Sequence, residues 1–166
     1  MRAKLIVEGK EFDIEIQDPE LQKLVAHKKT GYERVDINNP YYVDHHGNVI
    51  CCDERADIIC EHAYYGAHYY SDRTVAENNA RADKLMRQLR RFAVEHRENG
   101  LDWQDDSTDK YFIFYNHSLE NLSVHASIRN QTYCVIYFDS LDAANLAIDT
   151  FRDELIWYFT EYKDSL

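Results

Sequence analysis

The stretch from Asp72 to Glu98 constrains this chain most. At about 100° per residue, Val75, Ala82, Leu85, Met86, Leu89, Phe92 and Ala93 fall on one side of a helix. Lys84, Arg87, Arg90, Arg91 and Arg97 fall on the other. So wide an apolar stripe has to be buried against other elements, which leaves a basic stripe facing solvent. Ser71 or Asp72 supplies an N-cap, and Asn99-Gly100 supplies the stop.

The remaining segments supply what the helix packs against. Lys4–Val7 and Phe12–Ile16 flank a Gly9 turn, and the second run alternates apolar and acidic residues, as a half-buried hairpin does. Asp18-Pro19-Glu20 reads as a cap, a first-turn proline and an early acid, opening a short helix to about Lys28. Tyr41–Val43 and Val49–Cys52 form a second hairpin around Gly47, and the aromatic run Ala63–Tyr70 predicts a further strand. Asp53–Glu61 reads neither way. Lys110–Tyr115, Leu122–His125 and Tyr133–Phe138 predict a three-stranded meander, followed by a helix capped by Ser140 and reaching about Tyr162.

Tyr69-Tyr70-Ser71-Asp72, then Ala76 three residues on, matches Tyr137-Phe138-Asp139-Ser140, then Ala144, at an offset of about 68 residues. The expected class is therefore α+β: two β-meander-plus-helix repeats (39–100 and 101–166) preceded by a β-hairpin and short helix (1–38), in one compact unit. The repeats make either one sheet or two small lobes. In the last helix, Ala144, Ala147, Ile148, Phe151, Leu155, Tyr158 and Phe159 share the core face. Leu146 and Trp157 lie nearly opposite, which predicts a second apolar contact, with the N-terminal hairpin or with another copy in a homodimer.

Composition narrows the function classes. The 166 residues are 45% hydrophobic with only 5 Gly and 2 Pro, which excludes a disordered linker. No apolar run is long enough for a membrane span and the amino terminus lacks a signal-peptide core, so the expectation is a cytoplasmic protein with no membrane partner. Without a secretory context, Cys51, Cys52, Cys60 and Cys134 are expected as thiols. The net charge is −11, but 101–166 carries 12 acidic and 4 basic residues, whereas 81–97 carries 6 basic and 2 acidic. That polarity points to a charged contact surface.

Against this background the residues offer three chemistries. His45, His46, Cys51, Cys52, Cys60, His62 and His68 are zinc-type ligands, but no C-x-x-C or H-x-x-x-H pair joins them; turn histidines and packed thiols are the favoured reading, with no metal or cofactor. No nucleophile elbow, Walker loop, dinucleotide fingerprint or zincin motif occurs, so the chain is not expected to be an enzyme. Binding is left, in two forms. The stripe Lys84, Arg87, Arg90, Arg91 and Arg97 suits phosphates, with aromatic strands to stack bases. The carboxylates of Asp102, Asp105, Asp106, Asp109, Asp142, Asp149, Asp153 and Glu154 suit a basic groove, where they would imitate a nucleic-acid backbone.

Thr30-Gly31-Tyr32-Glu33-Arg34, Tyr41-Tyr42-Val43-Asp44, the run Leu85–Ala93, Lys110–Tyr115 and Asp153–Phe159 together resemble an accessory-protein family of phages and integrative elements in Gram-positive gut bacteria. The resemblance covers most of the chain and brings no catalytic motif. By analogy with small acidic proteins from such elements, it implies an inhibitor of a host defence nuclease in the bacterial cytoplasm, of the anti-CRISPR type, with a CRISPR effector complex as partner. The alternative is a nucleic-acid-binding regulator of the mobile element that uses the arginine-rich helix.

Overall fold

In the computed structural model, which describes residues 2–7, 10–15, 17–18, 30–34, 40–52 and 58–164, the chain is an α+β protein. Its elements run β1 (Arg2–Val7), β2 (Lys10–Glu15), β3 (Tyr41–Val43), β4 (Val49–Cys51), α1 (Ile58–Tyr65), β5 (Tyr69–Tyr70), α2 (Arg73–Glu95), β6 (Lys110–Asn116), β7 (Asn121–Ser127) and α3 (Leu141–Thr160). All strand pairs are antiparallel and fall into three separate sheets, β1-β2, β4-β3-β5 and β6-β7. The predicted helix from Asp18 to Lys28 lies outside the described residues.

Both long helices begin as the sequence predicts. Asp72 and Ser140 are extended, and their side-chain oxygens accept hydrogen bonds from the backbone N–H of Val75 and Ala143. The helices lie antiparallel: Asn78 meets Lys163, Arg81 meets Glu154, Phe92 meets Phe151, and Asp139 accepts from the N–H groups of Glu98 and Asn99. The main core forms where the apolar stripe of α2 (Leu85, Leu89, Phe92, Ala93) meets Ala143, Ala144, Ala147 and Leu155 of α3 together with Phe138. Ile113, Leu122 and Val124 of the β6-β7 sheet close it from the other side. Helix α2 thus shares one core with β6, β7 and α3, while its amino-terminal part packs Val75 and Ala76 against Tyr70 and the β3-β4 hairpin.

The second meander is shorter than expected. Tyr133–Phe138 does not form a third strand: Phe138 alone bridges Tyr111, through a reciprocal pair of 2.8 Å hydrogen bonds. Cys134 sits in the left-handed region (φ 62°), which a strand cannot accommodate, and the Tyr137 hydroxyl ties the segment back on itself by accepting from Thr132 N and donating to Asn130 O. The first unit departs too. Residues 63–65, expected in a strand, belong to α1, which Gly66 and Ala67 (φ 57°) close by bonding back to the carbonyls of His62 and Tyr64. Two matching strand-strand-strand-helix repeats are therefore not seen; the matched phrase marks only a strand end entering a capped helix.

Cysteine pairing is a further correction. Cys52 and Cys60 are joined in a disulfide with Cα atoms 6.6 Å apart, not held as thiols, and they anchor α1 to the end of β4; Cys51 and Cys134 lie outside this bridge and are exposed. With a sequence separation of 8, the bridge is expected to contribute about 2.5 kcal/mol by restricting the unfolded chain. Chemical denaturation with and without reductant checks this, and a midpoint that Cys60→Ser and reduction both leave unchanged would refute it.

The segment 30–34 is fastened to the start of α2. The carbonyl of Gly31 (φ 94°) accepts from Ser71 N–H, and a Cβ there would lie 2.7 Å from Val75 Cγ2, so only glycine fits. The Glu33 carboxylate accepts from Thr30 and Gly31 and from the Ser71 hydroxyl, which hold it down to about 2 from an ordinary 4.5. A depressed carboxyl pKa stabilises the fold above about 4.5, and that contribution is lost as pH falls toward 2. Glu33→Gln is expected to flatten the stability-pH curve over that window, while leaving its shape above pH ~5 unchanged. Acid titrations of the melting temperature that superimpose for the two proteins would contradict it.

Candidate nucleic-acid interface

The basic stripe anticipated from the sequence lies on the polar side of α2 and, at Arg97, just past its His96 C-cap. Lys84, Arg87, Arg90, Arg91 and Arg97 are all exposed. Arg91 leans on Glu95 at 3.6 Å; among the described residues the other four make no ion pair. Arg87 reaches the Gly47 turn of the β3-β4 hairpin, whose shape is set by Asp44 accepting from His46 N, Asn48 N and the Asn48 amide. Those bonds hold the Asp44 carboxyl below its ordinary pKa. The stripe survives as a surface because its neighbours are satisfied elsewhere.

Arg81, at the edge of this stripe, has a different task. Its guanidinium makes two hydrogen bonds to the Glu154 carboxylate, 2.8 and 3.0 Å, and lies 3.9 Å above the Trp157 ring. Glu154 is thereby withdrawn from the acidic face, its carboxyl held below the usual range chiefly by that bond. Trp157 is buried beneath Arg81 and beside Tyr162, a contact within the chain, while Leu146 remains exposed. Helical periodicity alone does not show that an arginine covers Trp157.

The acidic residues are held in different ways. Asp102 accepts from Gln104 N, and Asp105 from Ser107 and Thr108, whose bonds lower its carboxyl pKa. Asp106 pairs with Arg129, Asp109 accepts weakly from the Tyr111 hydroxyl at 3.4 Å, and Asp149 pairs with Arg152 at 2.9 Å. Asp142 and Asp153 stay exposed on α3 without an ion pair among the described residues. The loop 102–109 folds around Lys110, only 1% exposed, whose Nζ donates to the carbonyls of Asp105 (2.6 Å) and Thr108 (2.8 Å). A buried lysine held by carbonyls has no signature in a single sequence.

That loop also brings Trp103 to the carboxyl end of the arginine stripe. Arg90, Val94, Arg97, Trp103, Gln131 and Tyr137 border a shallow groove of about 230 Å³. Trp103 stands edge-on to Tyr137 with ring centres 4.9 Å apart, and Lys110 Nζ is 5.7 Å from its ring. On the inner side of segment 134–136 lies a second cavity, also about 230 Å³, between Met86, Leu89, Ile113, Leu155 and Phe159; its lining carries no charge.

The ligand set considered for zinc is broken by the disulfide, and among the described residues no group of three His, Cys, Asp or Glu is placed to hold a metal. His45 and His46 pack ring to ring in their turn, 3.8 Å apart. Asn79 is a further polar centre that the sequence did not mark: its Oδ1 accepts from the hydroxyls of Tyr32 and Tyr162. Burial pushes Tyr162 and the neighbouring Tyr70 up to about 12.

Family models, curated proteins and solved structures offer no match to this chain. Among the described residues, no helix is long and apolar enough to cross a membrane.

Proposed function

We propose that this protein acts by non-catalytic binding, with the arginine side of α2 set against the phosphates of a nucleic acid. The observation that carries the reading is the cluster of four exposed cations, Lys84, Arg87, Arg90 and Arg97, that make no ion pair among the described residues; Lys84 lies within electrostatic reach of Glu154, whose carboxylate is already bonded to Arg81. Cations left unpaired in a chain of net charge −11 are the groups most available to release counterions from a polyanion. In the setting implied by the resemblance to phage accessory proteins, that polyanion is the guide or target strand of a host defence nuclease, and the protein is its inhibitor. A regulator of the mobile element would use the same surface on free DNA or RNA.

A second reading is favoured by one observation, the unpaired carboxylates of Asp142 and Asp153 on the solvent side of α3. These acids would occupy a basic groove of the nuclease directly. Mobility shifts with free DNA and RNA across a salt series, run beside cleavage by a panel of purified RNA-guided nucleases, separate the readings. A salt-dependent shift supports the arginine surface. Inhibition without any shift supports the carboxylates, and neither result overturns both.

A further inference from the structure

We infer that the groove between the end of α2 and the 102–109 loop is a nucleobase site, which makes single-stranded nucleic acid the class of ligand this protein prefers. The inference rests on the arginine-surface reading and adds what that surface alone lacks, a place for a base. Guanidinium groups on an exposed helix meet phosphates of any duplex or single strand alike. A base can be read only where an aromatic face and an in-plane hydrogen-bonding group accompany the phosphate contacts, and only an unpaired strand can turn its bases outward to reach them.

The groove assembles those parts from three stretches of chain. Arg90 and Arg97 stand on its α2 rim and carry no ion pair among the described residues, which leaves both for phosphates. Trp103 comes from the loop on the opposite side, half-exposed and braced edge-on by Tyr137. Tyr137 is itself buried and fixed by bonds from its hydroxyl to Asn130 and Thr132, so the tryptophan rests on a rigid support. Gln131, exposed at the end of the groove, offers an amide that can both donate and accept in the plane of a base. Val94, 63% exposed beside these groups, supplies apolar surface that solvent alone does not favour. A volume of about 230 Å³ suits one base and its sugar, not a duplex. Of the nearby acids, Asp102 and Asp105 are engaged by their own loop, and Asp139 accepts from the N–H groups of Glu98 and Asn99 through Oδ2, while its Oδ1 is buried without a partner among the described residues.

The test uses the full chain with an oligothymidylate of about 20 nucleotides, an abasic strand of the same phosphate number, and a duplex of matched length. Tryptophan emission reports directly, because Trp157 is buried under Arg81 and Trp103 is the accessible indole. The expected results are quenching on addition of oligothymidylate and affinity about tenfold higher than for the abasic strand. Trp103→Ala should abolish that preference and leave duplex binding unchanged, and Trp103→Phe should restore most of it while losing the emission signal. Equal affinity for the thymidylate and abasic strands would overturn the nucleobase site and leave the phosphate surface standing. Absence of binding to all three would overturn both. Should Trp103→Ala unfold, as circular dichroism would reveal, the comparison of strands on the unmodified protein and on Trp103→Phe decides alone.

Discussion

Lys110→Met is expected to lower the unfolding free energy by about 3 kcal/mol, the largest loss for any single polar side chain described above. Methionine matches the lysine stem in length and fills the same space, so the packing of a side chain only 1% exposed is nearly conserved. What disappears is the ammonium head. The carbonyls of Asp105 and Thr108, at 2.6 and 2.8 Å from Nζ, lose their donor, and a partly buried carbonyl left unpaired costs on the order of 1–3 kcal/mol. The substitution also separates the loop from the sheet: amide exchange in 102–109 should accelerate well beyond that in α2 or α3, because the loop's remaining bonds, such as those of Asp105 to Ser107, are local to it. Urea denaturation measures the global effect, with an unchanged slope and a lower midpoint. A midpoint equal to that of the unmodified protein would show that the two carbonyl bonds add nothing.

Lys110 also marks where the sequence ceased to be informative. Helix α2 was legible because its signal is local and redundant: eight buried positions, including Val75, Leu85, Leu89 and Phe92, repeat one period, and a cap precedes them. The β6-β7 pair was legible from strand propensity, and its seven-residue ladder extends the predicted strands by a residue or two. Tyr133–Phe138 carries the same propensity and fails, since pairing is decided by partners distant in sequence and the hydroxyl of Tyr137 competes with the ladder. Charges misled in a comparable way. Glu154 reads as a surface acid and Trp157 as a contact for the N-terminal hairpin or another copy until Arg81, 73 residues upstream of Glu154, is seen to engage both. The arginine stripe escaped that fate. All of its residues but Arg97, which lies past the His96 C-cap where the sequence predicts helix as far as Glu98, come from one helix, and a pattern confined to one helix survives folding; the acidic set came from a loop and a second helix, and most of its members met different neighbours, with Asp142 and Asp153 left exposed.

Reversing two charges on that face should give the largest functional effect. For the double variant Arg87→Glu, Arg90→Glu, binding to single-stranded nucleic acid is expected to weaken by about 100-fold or more at ~0.1 M salt, since each charge-assisted contact contributes about 1.5–3 kcal/mol. Stability should change by less than about 0.5 kcal/mol, because both side chains are exposed and neither holds a partner that the substitution would orphan. Salt dependence carries the sharper distinction. Four phosphate contacts to a single strand imply a log-log slope near −2.8, and removing two of them should reduce it by about 1.4. The acidic half of the molecule opposes binding most strongly at low salt, where screening is weakest, so the measured slope of the unmodified protein should be shallower than four cations alone dictate. A control reversal at Asp142 and Asp153, to lysine, tests that argument from the other side: it should strengthen binding and steepen the slope without touching α2. If instead the arginine reversal leaves affinity and slope unchanged while the aspartate reversal abolishes inhibition of a nuclease, the working surface is α3, and the cations of α2 serve only to keep an acidic chain soluble.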